Sequence, residues 1–103
     1  MKLLKVILVL VSAWLSFTAT AGDAVAGKEK AQVCKACHGA NGIAIIPGFP
    51  NLAGQNEKYL IDSMKAYRDG DRLGTSAQIM RAQSTGLSDT DIEDLAAYYT
   101  QLK

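Results

Sequence analysis

The sequence holds few of the residues that build metal and disulfide sites, with one histidine and two cysteines in 103 residues. Two cysteines cannot form the several disulfides that staple many small secreted scaffolds. Together with one histidine, they fall short of the four protein ligands of a structural zinc site. Charge is also nearly balanced, at 11 basic and 10 acidic residues. This balance argues against nucleic acid as a partner, because phosphate binding needs clustered Lys and Arg.

Long hydrophobic runs are missing as well. The most apolar stretch runs from Val6 to Phe17, which is shorter than the ~20 residues that a membrane-spanning helix needs. The basic Lys2 and Lys5 precede this stretch, and the small residues Ala19-Thr20-Ala21 follow it. Basic, apolar and then small residues in this order are typical of a secretory signal peptide.

The N-terminus therefore predicts export. We expect a signal peptide at residues 1–21, cleaved after Ala21, and a mature domain at residues 22–103 in the periplasm, with no membrane span left after cleavage. Ala24-Val25-Ala26 offers a second cleavage site, and an uncleaved anchor is the alternative. A domain this short usually needs a staple or a prosthetic group to be stable.

The mature domain is predicted to be all-α, because no stretch alternates in the manner of a β-strand. A first helix is expected from Asp23 toward the cysteines, and a short third near residues 78–83. The second should begin after the N-cap Asn56 and stop at Gly70. The last helix should follow Ser88, which forms a capping-box pattern with Asp91. Its apolar stripe is formed by Ile92, Leu95, Ala96, Tyr99 and Leu102.

The chemistry of the sequence is concentrated in Cys34-Lys35-Ala36-Cys37-His38. Cys-x-x-Cys-His is the signature of c-type haem attachment. The two thiols bond to the haem vinyl groups, and His38 is placed to ligate the iron. Zinc would lack a fourth ligand, and a Cys34–Cys37 disulfide would close too small a loop to stabilise the fold. The apolar, turn-rich loop at 39–54 is suited to cover a cofactor face.

Two methionines are candidates for the second axial ligand of the iron, because the sequence has no second histidine. Methionine opposite histidine raises the reduction potential of a haem iron. Met64 falls on the apolar stripe of a predicted helix, where methionine is usually core filler. Met80 follows a loop containing Gly and Ser, which can bring its sulfur to the other haem face, and it is favoured on that ground. A vacant or water-bound position is the third alternative.

A set of ordered motifs carries a resemblance to a known family. The segments, as they stand in the sequence, are Val33-Cys34-Lys35-Ala36-Cys37-His38-Gly39, Phe49-Pro50-Asn51-Leu52-Ala53-Gly54-Gln55, Tyr59-Leu60, Gly70-Asp71-Arg72, Met80, Leu87-Ser88-Asp89 and Ala96-Ala97-Tyr98-Tyr99. In these the mature chain resembles the class I cytochromes c, specifically small bacterial monohaem cytochromes of the c553 type and single domains of dihaem cytochrome c4. The resemblance covers nearly all of residues 22–103. It implies the cytochrome c fold, with about four helices and long loops wrapped around one covalently bound haem c.

The resemblance also implies roles for single residues. Met80 falls where the family has its axial methionine, on the iron face opposite His38. Pro50 resembles the proline whose carbonyl accepts a hydrogen bond from the axial histidine, a contact that fixes the ring. Arg72 is a candidate partner for a haem propionate, since guanidinium pairs well with carboxylate. An ordinary surface arginine is the alternative there.

The predicted function is electron transfer by an exported monohaem c-type cytochrome with His/Met-ligated iron, rather than an enzyme. Its partners would be redox proteins that act as donor and acceptor, and the carrier is expected to be a monomer. The alternative is a permanent cytochrome c subunit of a larger oxidoreductase complex. A sensor or haem enzyme with an open distal site ranks last, because the sequence offers no nucleophile–base pair.

Overall fold

Five helices form the framework of residues 22–103, the part of the chain that the computed structural model describes. They are α1 (Ala24–Lys30), α2 (Lys35–His38), α3 (Glu57–Asp69), α4 (Ala77–Ser84) and α5 (Asp89–Gln101), with a 3-10 turn at Ala31–Val33. No strand occurs in this range, and the all-α prediction is confirmed. None of the described helices is long and apolar enough to cross a bilayer. The predicted signal peptide lies outside the described residues.

The boundaries of α3 and α5 are set by the residues that the sequence predicts. Asn56 Oδ1 accepts a hydrogen bond from the backbone N–H of Tyr59 at 2.9 Å. Gly70 ends α3 in the left-handed conformation, with φ at 80°, where a side chain would be strained. Ser88 Oγ accepts from the Asp91 N–H at 3.0 Å, and Asp91 Oδ2 accepts from the Ser88 N–H at 3.0 Å. This reciprocal pair is the predicted capping box.

The first helix differs from its prediction. The sequence predicts one helix from Asp23 to the cysteines, but α1 ends at Lys30, a 3-10 turn follows, and α2 begins after Cys34. Turns of this kind commonly tighten the end of an α-helix. The spacing of small residues continues through the break, so periodicity alone could not reveal it. As a result, Cys37 and His38 stand on a short helix of their own.

The two terminal helices pack closely because α1 presents a glycine to α5. Gly27 is buried, and a Cβ built on it would lie 2.0 Å from the backbone oxygen of Asp94 and 2.9 Å from Tyr98 Cβ. Only glycine permits this approach of the two backbones. The contact forms one side of the core, whose buried members are Ala31, Leu60, Leu95, Ala96, Tyr98 and Tyr99.

Lys30 connects α1 to α5 through two carboxylates. Its Nζ lies 2.8 Å from Asp91 Oδ1 and 2.6 Å from Asp94 Oδ2. Asp94 is buried and also accepts a hydrogen bond from the backbone N–H of Asp23 at 2.8 Å. The Lys30 ammonium holds the pKa of Asp91 down to about 2 and lowers that of Asp94.

We expect Lys30→Met to destabilise the protein at neutral pH and to lose this effect in acid. The folded-state pKa values of Asp91 and Asp94 lie below the usual 3.8. Such carboxylates stabilise the fold above their unfolded pKa and stop doing so as the pH falls through the folded value. In thermal unfolding, the variant's melting temperature should therefore lie furthest below that of wild type above about pH 5. The difference in melting temperature should shrink as the pH falls toward about pH 2.

Lys58→Met is the matched control for this prediction. It removes an exposed pair with Asp62 on α3, and exposed pairs contribute little to stability. The control should therefore unfold close to wild type across the same pH range. If the melting temperature of Lys30→Met stayed equally far below wild type down to about pH 2, the two carboxylates would not act through their charge.

The long loop between α2 and α3 is tied down on both sides of Pro50. Asn51 Oδ1 accepts a hydrogen bond from the backbone N–H of Ala44 at 2.8 Å. The backbone N–H of Gly54 donates to the carbonyl of Tyr99 on α5 at 2.9 Å. These bonds hold an otherwise irregular segment in one conformation, which is what a loop needs in order to shape a binding site.

Candidate haem-binding site

One cleft brings together all the residues that the sequence singled out for cofactor binding. Its volume is about 650 Å³, within the range of pockets that hold small molecules and cofactors. The residues come from α2, the following loop, the segment after α3, and α4, so that the chain surrounds the cleft from several directions. They are Cys34, Cys37, His38, Pro50, Arg72 and Met80.

The histidine side of the cleft is rigid and has a defined tautomer. His38 is only 5% exposed, and its Nδ1 lies 2.9 Å from the carbonyl oxygen of Pro50. A carbonyl only accepts, so Nδ1 must carry the proton and donate it. The lone pair is then on Nε2, the nitrogen available to a metal. Phe49 packs edge-on against the imidazole with ring centroids 6.3 Å apart, which further restricts rotation of the ring.

The two cysteines lie about one helical turn apart, and both line the cleft. Cys34 is the N-cap of α2, and Cys37 lies within that helix. Both are half-buried free thiols. Burial raises the pKa of Cys34, and the neighbouring Tyr99 hydroxyl offsets part of this rise. Two thiols spaced in this way beside an imidazole are suited to holding one edge of a porphyrin.

A zinc site does not fit this donor set. Within residues 22–103, no three or more His, Cys, Asp and Glu side chains are grouped so as to hold a metal ion. Structural zinc needs four such ligands. A haem, in contrast, brings four nitrogen ligands of its own and needs only axial donors and covalent anchors from the protein.

Met64 and Met80 both line the cleft, but their surroundings differ. Met64, on α3, packs against the hydrophobic core that includes Leu60 and Leu95. Met80 lies on α4, and no residue of that helix belongs to this core. Met64 therefore contributes to the packing of the core, whereas Met80 lines the cleft from a helix outside that core.

Arg72 is an exposed residue of the cleft lining whose guanidinium lies over an aromatic ring. The guanidinium carbon is 4.6 Å from the centroid of the Tyr67 ring, in the range of a cation–π contact. Tyr67 also lines the cleft. The contact restrains an otherwise flexible side chain and keeps a positive charge beside the cavity.

Sequence reasoning missed the polar side chains that α3 contributes to the cleft. Tyr59, Ser63 and Tyr67 all line it, and they recur every four residues along the helix. That spacing places them on one face, so it was the signal that could have found them. Tyr99 was assigned only to the apolar stripe of α5, and its place in the cleft depends on contacts far apart in the sequence.

Nearly all of the part of the chain that the structure describes is similar to known c-type cytochromes. Residues 24–103 match the family model for cytochrome c. The chain is 54% identical over 80 residues to cytochrome c-554(548) of Halomonas halodenitrificans, covering 78% of this chain and 96% of that protein. The crystal structure of reduced recombinant cytochrome c4 from Pseudomonas stutzeri has a TM-score of 0.72 and 40% sequence identity, covering 81% of this chain.

The relatives differ in length and in the roles that their names give. The chain spans nearly all of the Halomonas protein but only 47% of the Pseudomonas stutzeri cytochrome c4 chain. A more distant relative is the thiosulfate dehydrogenase electron acceptor of Thiomonas intermedia. It is 37% identical over 88 residues, which cover 84% of this chain and 39% of that protein.

Proposed function

Because the chain belongs to the cytochrome c family, and is therefore a c-type electron-transfer protein with one covalently bound haem, we propose specific roles for the side chains of its cleft. Cys34 and Cys37 are the covalent anchors. Each thiol adds across one vinyl group, so that a carbon–sulfur bond forms and the thiol proton ends on the neighbouring vinyl carbon. When bound, the haem supplies an iron that accepts and releases one electron.

His38 and Met80 are the proposed axial ligands. Support for His38 comes from its hydrogen bond to Pro50, which leaves Nε2 free and fixes the ring. Support for Met80 comes from its position in the cleft outside the packed core. With both positions filled by protein donors, the ligands do not need to change when the electron arrives, so little reorganisation is required.

Arg72 is proposed to pair with a haem propionate. Its exposed guanidinium lies over Tyr67 in the lining of the cleft, and guanidinium pairs well with carboxylate. This arrangement would neutralise one carboxylate of the cofactor and help to keep that edge of the haem in a fixed position.

The protein is proposed to work in the periplasm after cleavage following Ala21. The structure of α1 supports this site over the one after Ala26. Asp23 caps α1 by accepting hydrogen bonds from the N–H groups of Val25 and Ala26 at 2.9 and 3.2 Å. Cleavage after Ala26 would remove this cap and the first turn of the helix.

The single observation that carries the proposal is the convergence of the two thiols, the tethered imidazole and the Met80 side chain on one cleft. The test is the intact mass of the protein purified from the periplasm of an expressing bacterium. We expect a polypeptide that begins at Gly22 and carries one haem that denaturant does not remove. Replacing both cysteines by alanine should abolish the covalent haem. A covalent haem that survived this double replacement would refute the assignment.

The identity of the partner separates two versions of the function. We propose a freely diffusing monomer that exchanges electrons through weak, small interfaces. The name of the Thiomonas relative, an electron acceptor of thiosulfate dehydrogenase, supports the alternative of a cytochrome dedicated to one dehydrogenase. Copurification with a catalytic subunit would favour that alternative, and an unaccompanied monomer would favour the free carrier.

A further inference from the structure

Tyr99 carries a buried hydroxyl that makes no hydrogen bond of normal geometry within the described residues. The residue is 3% exposed, its hydroxyl oxygen has no partner within normal hydrogen-bond limits among residues 22–103, and the Cys34 thiol lies near it. Burying a hydroxyl without a partner costs stability. A side chain of this kind in a binding cleft therefore points to an acceptor on the group that the cleft holds.

The location of Tyr99 narrows the choice of acceptor. Tyr99 and Cys34 both line the haem cleft, and Cys34 packs against the buried cluster to which Tyr99 belongs. The two groups are close enough for each to affect the pKa of the other. A haem c offers hydrogen-bond acceptors at its propionates and at the two thioether sulfurs. Because the hydroxyl stands beside a cysteine anchor, the acceptor within its reach is the sulfur at the attached vinyl edge.

The backbone holds Tyr99 firmly in this position. Its carbonyl accepts hydrogen bonds from the N–H groups of Gly54 at 2.9 Å and Leu102 at 3.2 Å. Its ring packs against Tyr98, with centroids 5.1 Å apart. The backbone bonds fix the position of the residue, and the buried ring cannot swing toward solvent without losing its packing against Tyr98.

We propose that the Tyr99 hydroxyl donates a hydrogen bond to the sulfur of Cys34 in the haem-bound protein and thereby raises the reduction potential of the iron. The inference rests on the proposed attachment of haem at Cys34. After attachment the sulfur has lost its proton and can act only as an acceptor. The positive end of the hydroxyl dipole then points at the haem edge, which favours the reduced state because that state carries one more electron. Hydrogen bonding around a haem is one of the means by which proteins set its potential.

Tyr99→Phe and Tyr98→Phe form a matched pair for the test. Both remove one hydroxyl from adjacent buried rings of α5, but only Tyr99 lines the cleft. We expect Tyr99→Phe to lower the measured reduction potential of the purified haem protein, with its absorption spectrum and Met–iron band retained. Tyr98→Phe should keep the wild-type potential. Equal potentials in Tyr99→Phe and wild type, with haem attached at Cys34 by peptide mass mapping, would overturn this inference alone.

If Tyr99→Phe does not accumulate as folded haem protein, a second measurement on the wild-type protein tests the proposal. In the reduced wild-type protein, proton NMR should show one slowly exchanging tyrosine hydroxyl with a nuclear Overhauser contact to the Cys34 β-protons. Absence of that contact would overturn the proposal without any variant. If mass mapping instead shows no haem on Cys34, the proposed attachment fails, and that outcome is distinct from a missing hydrogen bond.

Discussion

Replacing Met80 with leucine should abolish the methionine-to-iron charge-transfer band of the ferric protein. Leucine keeps the apolar volume but has no sulfur to donate to the iron. The reduction potential should fall by on the order of a few tenths of a volt, since axial ligands span roughly 0.8 V among haem proteins. The reduced variant should also bind carbon monoxide, because one axial position is then open.

Met64→Leu is the control, because it removes a sulfur from the same cleft. Met64 packs against the core on α3, and a swap of similar volume there costs less than about 1.5 kcal/mol. We therefore expect an intact charge-transfer band and a slightly lower melting temperature. Loss of the band in Met64→Leu, with Met80→Leu unaffected, would reverse the ligand assignment.

Gly27→Ala should destabilise the protein, although alanine is the better helix former. Propensity alone predicts a gain of about 1 kcal/mol in a helix interior. The new Cβ would lie 2.0 Å from the backbone oxygen of Asp94, and a backbone atom cannot move aside as a side chain can. Overpacking of this kind costs about 1–3 kcal/mol or more, so α1 must shift away from α5 and the net effect is a loss. Thermal and denaturant unfolding of the haem protein measure it.

Gly86→Ala provides the same substitution without the contact. A Cβ on Gly86 would meet no atom within 4 Å, so the variant should unfold within about 0.5 kcal/mol of wild type. If Gly27→Ala proved as stable as Gly86→Ala, the close approach of the terminal helices would not be a determinant of stability.

Local signals in the sequence predicted the parts of the fold that short-range chemistry decides. The capping pair Ser88 and Asp91, the N-cap Asn56 and the terminator Gly70 each act within one turn of a helix, and each was found where expected. The Cys34-to-His38 motif predicted the cofactor in the same way, because attachment and axial ligation involve neighbouring residues.

Contacts between residues far apart in the chain could not be predicted from the sequence. Lys30 lies far in the chain from Asp91 and Asp94, and no periodic pattern links them, so the buried carboxylate on α5 was not foreseen. Tyr99 matched the apolar stripe of its helix, which concealed its buried hydroxyl and its place in the lining of the cleft. In both cases the physical role is defined by the packing of α5 against other elements, which a local pattern does not encode.

An optical redox titration of the purified, full-length haem protein tests the central claim most directly. Electron transfer by a six-coordinate His/Met iron predicts one reversible transition with the slope of a single electron per molecule. It also predicts a methionine-to-iron band in the oxidised form and no carbon monoxide binding by the reduced form. A missing band together with carbon monoxide uptake by the unmodified protein would contradict the account, because it would show that the iron has an open position and that Met80 does not ligate it.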